Sequence, residues 1–190
     1  MPHIQDVCDR FAAEGFVALA PDLYHGETTT EPDEAGKLMM ALNIDRATRD
    51  MSGAADFLIG HDAVSSDGLG VIGFCMGGGL ALALTCARPD VIKASAPFYG
   101  LIPWESLQPD YAAIEARVRG HYAADDGFFG PDLAKGLERQ LKELGKDATI
   151  VIHEGCDHAF FNDTRPEVYR PEHAAEAWEQ TIELFRSTLT

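Results

Sequence analysis

Apolar residues recur along the chain with two periods, and the switches between them mark out its elements. Between residues 3 and 15, Ile4, Val7, Phe11 and Ala12 share one helical face, and Gly15 supplies a C-terminal stop. Phe16 to Ala20 is a short apolar run that predicts a strand, broken by Asp22-Leu23-Tyr24-His25-Gly26 and a Thr-rich polar loop. From Asp33 to about Gly60, Leu38, Ala41, Leu42, Met51, Ala54, Ala55, Phe57 and Leu58 predict two helices joined around Asn43 to Asp45. The turn Ser65-Ser66-Asp67-Gly68 precedes a strand centred on Val71, and small and aliphatic residues then run at helical length to about Arg88. Val91 to Tyr99 predicts the next strand, closed by Gly100, and Pro103 and Pro109 punctuate an irregular excursion over residues 101–116. A strand at Val118 to Ala123, an amphipathic helix from Asp132 to Leu144 and a strand at Thr149 to His153 follow. A last helix, Glu172 to Leu189, lines up Ala174, Trp178, Ile182, Phe185 and Leu189.

Strands alternating with helices predict an α/β fold: a mostly parallel sheet with helices on both faces, in one domain over residues 1–190. Reactive residues of such folds collect at the C-terminal ends of the strands. Composition narrows the partners. Asp and Glu outnumber Lys and Arg 31 to 15, for a net charge of −16. That surface repels phosphate backbones and anionic lipid, so neither nucleic acid nor a membrane is an expected partner. Cys8, Cys75, Cys86 and Cys156 show no paired-motif spacing, and the N terminus has no basic segment followed by an apolar run, which points to a reduced, cytoplasmic setting. A homodimer is compatible with the sequence.

The chemistry centres on Val71 to Ala83, VIGFCMGGGLALA. Gly73-Phe74-Cys75-Met76-Gly77 has the G-x-nucleophile-x-G form of a strand-to-helix elbow, with Cys in place of Ser. The expectation is that Gly73 and Gly77 both lack a Cβ so that strand and helix can approach. A sulfur there meets a helix N terminus, where free N–H groups favour a thiolate and an oxyanion. Gly-rich turns of this kind also bind phosphate, and small cysteines are common in cores. A thiol needs a base, and His158, in Gly155-Cys156-Asp157-His158-Ala159-Phe160-Phe161, follows the last strand, with Phe160 and Phe161 placed to pack its ring. Asp126 follows the strand before, giving the order nucleophile, acid, His; Asp125 is a direct rival, and His121 reads as structural or pocket-lining. His153, Cys156, Asp157 and His158 match no standard ligand spacing, so no metal site is expected, and the chemistry requires no cofactor.

These residues resemble the dienelactone hydrolase family of the α/β-hydrolase superfamily. The likeness runs from about His3 to the C terminus through HIQDVCDRFAAEGFVALAPDLYHG, GFCMGGG, HYAADDGFF and GCDHAFFND. It implies Cys75 as nucleophile, His158 as base and Asp126 as acid, the last preferred because Phe128-Phe129 and Pro131 follow it as in the family. Met76 N–H would be one oxyanion donor, and Tyr24 and Phe160 are candidate substrate contacts. The resemblance also implies an N-terminally truncated form: the family has further strands and a loop bearing a second oxyanion donor before the point where Met1 stands. One such strand would lie between those at Phe16 and Val71, and an empty slot would leave two rows of backbone groups unpaired, unless rearrangement or another chain fills it. The arginines that hold an anionic lactone in founding members have no counterpart after His158, where Arg165 is the nearest cation, so a neutral or differently held small ester or lactone is expected as substrate. The alternative is a weak or inactive binding or scaffold module; a redox thiol protein is a further rival, with Cys75 and Cys86 a poor resolving pair on one helix.

Overall fold

The structure, a computed structural model, describes residues 2–104 and 107–189. Four parallel strands, β1 (Leu69–Phe74), β2 (Ile92–Phe98), β3 (Arg117–Ala123) and β4 (Ala148–His153), pair in the order β1-β2-β3-β4. Helices α1 (Pro2–Ala13), α2 (Pro32–Ala41) and α3 (Ile44–Ile59) precede the sheet in sequence. The crossovers are α4 (Met76–Ala87), a long connection with a short 3-10 turn at Tyr111–Ala113, and α5 (Pro131–Glu143); α6 (Pro171–Thr188) closes the chain.

Period-2 alternation divides the core in two. On β1, Leu69 and Val71 face Leu80, Leu82 and Leu84 of α4, with Met51 and Ala55 of α3 and Leu137 and Leu141 of α5 in the same cluster. Ile72 and Phe74 face the opposite way, toward Val7 and Phe11 of α1 and Ala177, Ile182 and Phe185 of α6. Burying both faces explains why the strands read as nearly continuous apolar runs. An extra residue, Lys93, interrupts the β1/β2 register between the pairs Leu69–Ile92 and Gly70–Ala94. Ile92 and Ala94 consequently join opposite clusters, and Ala94, Ala96 and Phe98 continue on the α6 side. Gly70 lies under Phe185, whose ring a Cβ would meet at 2.9 Å.

One expected strand does not form. Phe16 to Ala20 makes no ladder, and Val17 and Leu19 remain 40% and 43% exposed. An apolar groove of about 340 Å³, lined by Val17, Leu19, Leu23, Val71 and Phe74 among others, separates this segment from β1. A strand needs a neighbour to receive its N–H and C=O groups, and among the described residues none stands on that side of β1.

Candidate active site

The Val71–Ala83 motif folds as a sharp elbow. Cys75 sits between β1 and α4 with φ 56° and ψ −123°, a conformation that L-residues rarely adopt. Its N–H donates to Phe98 O at 3.0 Å, and its carbonyl accepts from Gly78 N–H at 2.8 Å, fixing the turn from both sides. A Cβ at Gly73 would collide with the Gly77 carbonyl, and one at Gly100 with the Cys75 carbonyl. Gly78 and Gly79 bring α4 against β2 and its following loop, where a Cβ would stand 2.7 Å from Phe98 O and 2.6 Å from Leu101 C. Gly77 departs from expectation, because a Cβ there meets nothing within 4 Å. The space that Gly73 leaves is filled by Gly77's backbone, so the steric demand falls on the strand side and on Gly100.

Asp126 and His158 stand beyond β3 and β4. Of the two adjacent aspartates, Asp126 meets His158, with Oδ2 2.8 Å from Nδ1. Its other oxygen accepts the Phe128 and Phe129 N–H groups at 2.7 and 3.0 Å, leaving the buried carboxylate with three donors. Burial opposes its ionisation, but His158 and these two amides outweigh that and hold it below the usual carboxylate range. His158 lies between Asp126 and Cys75. Desolvation alone would lower its pKa; hydrogen bonds to Asp126 and Cys75 win and raise it to about 9. At Cys75 burial again opposes charge, and the His158 hydrogen bond and charge, with the Met76 N–H, hold the thiol below its ordinary value. Asp126 and His158 are joined by a direct hydrogen bond, and His158 and the Met76 N–H both favour the thiolate form of Cys75.

Aromatic rings close around His158, though not the ones expected. Tyr99, Phe128 and Phe129 lie 5.1, 5.2 and 6.3 Å from the imidazole, centroid to centroid. Phe160 is fully buried against Tyr99 and His153 at 5.6 and 4.6 Å, so it supports the loop from within and does not face a substrate. Phe161 stacks on Phe74. Tyr24 is half-buried, and its phenol is pushed up by burial and by the nearby Cys75. Sequence reasoning missed Tyr99 and Phe128. Tyr99 follows β2 at the same end of the sheet, with a positive φ of 35°, and its position after a strand was the available signal. Phe128 is 74% exposed beside His158, and it follows directly from Asp126-Gly127. Arg165 is engaged by Glu167 at 2.9 Å. All four cysteines are free, and burial pushes Cys156 up to about 11, as a packing residue would be. His121 is buried against His153, its Nδ1 3.1 Å from His153 Nε2, and takes no part in this group. The apolar groove beside β1 does not include Cys75 in its lining and is not the reaction cavity.

The sequence profile of the dienelactone hydrolase family matches residues 1–189. The chain belongs to the dienelactone hydrolase family. Its relatives include "Protein usf" of Aquifex pyrophilus, 36% identical over all of this chain and 83% of the relative. A protein of Aquifex aeolicus provisionally named carboxymethylenebutenolidase is 33% identical, over 100% of this chain and 82% of its own length. A Bradyrhizobium protein provisionally named 2-oxo-3-(5-oxofuran-2-ylidene)propanoate lactonase is 30% identical over 95% of this chain and 76% of that one. Among solved structures, a provisionally assigned dienelactone hydrolase from Klebsiella pneumoniae superposes with a TM-score of 0.86 at 29% identity, covering 98% of this chain and 81% of that one. The α/β fold with its parallel sheet is thus that of the dienelactone hydrolases. No helix in the described residues is long and apolar enough to cross a membrane.

Proposed function

We propose that this dienelactone hydrolase family member cleaves small carboxylic esters or lactones through a Cys75–His158–Asp126 triad. The observation that carries the reading is the coupling of His158 on both sides: to the buried Asp126 at 2.8 Å and to the thiol on the strained elbow. Asp126 holds the ring in the Nδ1–H tautomer, so Nε2 is the nitrogen that exchanges a proton with Cys75. The thiolate attacks the carbonyl carbon, and the electron pair of the C=O bond moves to oxygen, where Met76 N–H stabilises it. The tetrahedral intermediate collapses to a thioester and expels an alkoxide, which takes the imidazolium proton. Water then attacks the thioester as His158 accepts its proton, and the thiolate leaves with the carboxylic acid released.

The relatives named as a carboxymethylenebutenolidase and a lactonase support this substrate class. Arg165 pairs with Glu167, and aromatic rings surround His158, a setting that suits a neutral acyl group better than an anionic one. The test is steady-state hydrolysis of a panel of aryl esters and small lactones by the wild-type chain and by Cys75→Ala. Hydrolysis that disappears in the variant supports the triad. Equal hydrolysis in both proteins overturns Cys75 as the nucleophile, and no hydrolysis in either overturns the reading and favours a binding role.

A further inference from the structure

A second cluster of chemically capable side chains lies outside the Cys75 site. His153 ends β4, and His173 and Glu176 stand three residues apart on the first turns of α6, so both side chains leave one face of that helix. Their donor atoms, one from each residue, lie within 4.8 Å of one another, and no other such trio occurs among the described residues. The two imidazole nitrogens that face each other are both Nδ1, 3.3 Å apart. Two nitrogens on a tetrahedral zinc-type ion at bond lengths of about 2.0–2.1 Å stand about 3.3–3.4 Å apart, so these two already have the spacing of one edge of such a site. Glu176 is exposed, with a carboxylate oxygen within 4.8 Å of both imidazole donors, so closing on an ion at the third corner calls for a short side-chain movement.

The outer shell is present too. His153 Nε2, the nitrogen that does not face His173, lies 3.1 Å from Nδ1 of the buried His121. An imidazole that binds a metal through one nitrogen needs an acceptor for the proton on the other, and His121 Nδ1 supplies it. Loading needs the Nδ1 lone pairs of both residues, so the single proton of neutral His153 then sits on Nε2, donated inward, and that of neutral His173 on its own Nε2. His121 Nε2 is buried without a hydrogen-bond partner, and in that tautomer it carries a proton that no acceptor meets. That penalty limits affinity and makes the site reversible rather than a permanent structural centre.

We infer that His153, His173 and Glu176 form a binding site for a divalent transition-metal cation of the zinc or cobalt type, with His121 as its outer partner. No local pattern announces it, because His153 stands 20 residues from His173 and the pair lies outside the standard ligand spacings. The consequence is local. The cation would tie the end of β4 to the start of α6 and so clamp both ends of residues 154–170, the segment that carries His158.

The test is titration of the chain with cobalt(II) and, in competition with a chromophoric chelator, with zinc(II). A Cys75→Ser background removes the reactive thiolate as an alternative ligand. We expect one equivalent of cobalt to give visible d–d bands of tetrahedral intensity without a thiolate charge-transfer band. His173→Ala and Glu176→Gln, both on the accessible side of the site, should each weaken binding by about tenfold or more. Hydrogen exchange in residues 154–170 should slow on loading in the parent and not in His173→Ala. No saturable uptake, or uptake unchanged in both variants because the ion sits elsewhere, overturns the assignment.

Discussion

Replacing Asp126 with Asn separates the geometry of the proposed triad from its charge. Asn keeps the shape and can still accept the Phe128 and Phe129 amides through its oxygen, but it turns an NH2 toward His158 Nδ1, where the carboxylate accepted a proton at 2.8 Å. Hydrogen bonds to a charged group contribute about 1.5–3 kcal/mol, a factor of about 10 to 150 in the population of the thiolate–imidazolium pair. The Asp126 side chain is fully buried and that of His158 16% exposed, so solvent screens little of this. One effect opposes it: the Asp126 charge acts directly on Cys75 and raises its pKa, but it is the smallest of the contributions there, below both that of His158 and that of the Met76 amide. The indirect route through His158 therefore wins. With the thiol held low and His158 raised to about 9, the wild-type sulfur should react with iodoacetamide as a thiolate below the ordinary thiol range, losing reactivity as pH falls through the depressed thiol pKa. In Asp126→Asn the inflection of the alkylation rate should move up by about 1–2 pH units, toward the free-thiol value of about 8.5. An unchanged inflection, or one moved to lower pH, would refute the coupling through His158 and leave the direct charge effect dominant.

The elbow and the pocket rim offer sharper contrasts. Gly73→Ala should cost about 3 kcal/mol or more in urea-unfolding stability, or prevent folding, because its Cβ meets backbone that cannot give way. Gly77→Ala, one turn away with nothing within 4 Å, should stay within about 1 kcal/mol of wild type, and equal losses at both positions would refute the placement of the clash. Phe128→Ala removes an exposed ring 5.2 Å from His158. It should leave stability within about 0.5 kcal/mol and raise KM for aryl esters with kcat little changed, whereas a fall in kcat at constant KM would assign Phe128 to the chemical step.

Much of this molecule was legible because its signals are local. The observed helices and strands fall within a residue or two of the periodic runs that predict them, as at β3, expected from Val118 and observed from Arg117. The elbow was readable for the same reason: a strand, a Gly-flanked Cys and a helix follow one another in sequence. Local spacing does not separate Asp126 from Asp125, since both follow β3; the family resemblance favours Asp126, and in the fold it is Asp126 that reaches a histidine 32 residues away. Phe160 and Phe16 to Ala20 failed for a related reason. An apolar residue near a reactive one reads the same whether it lines the site or supports it from below, and an apolar run reads as a strand whether or not a neighbouring strand exists to pair with it.

By itself the sequence determined the α/β alternation and the strand-turn-helix elbow that carries Cys75, because backbone propensity, side-chain period and turn chemistry act over a few residues. Only the tertiary structure decided which rings enclose His158, that Gly77 is sterically free, and that His153, His173 and Glu176 converge. Those facts depend on how β4 packs against α6 and β1 against α4, and such packing brings together residues whose separation along the chain carries no record of their distance in space.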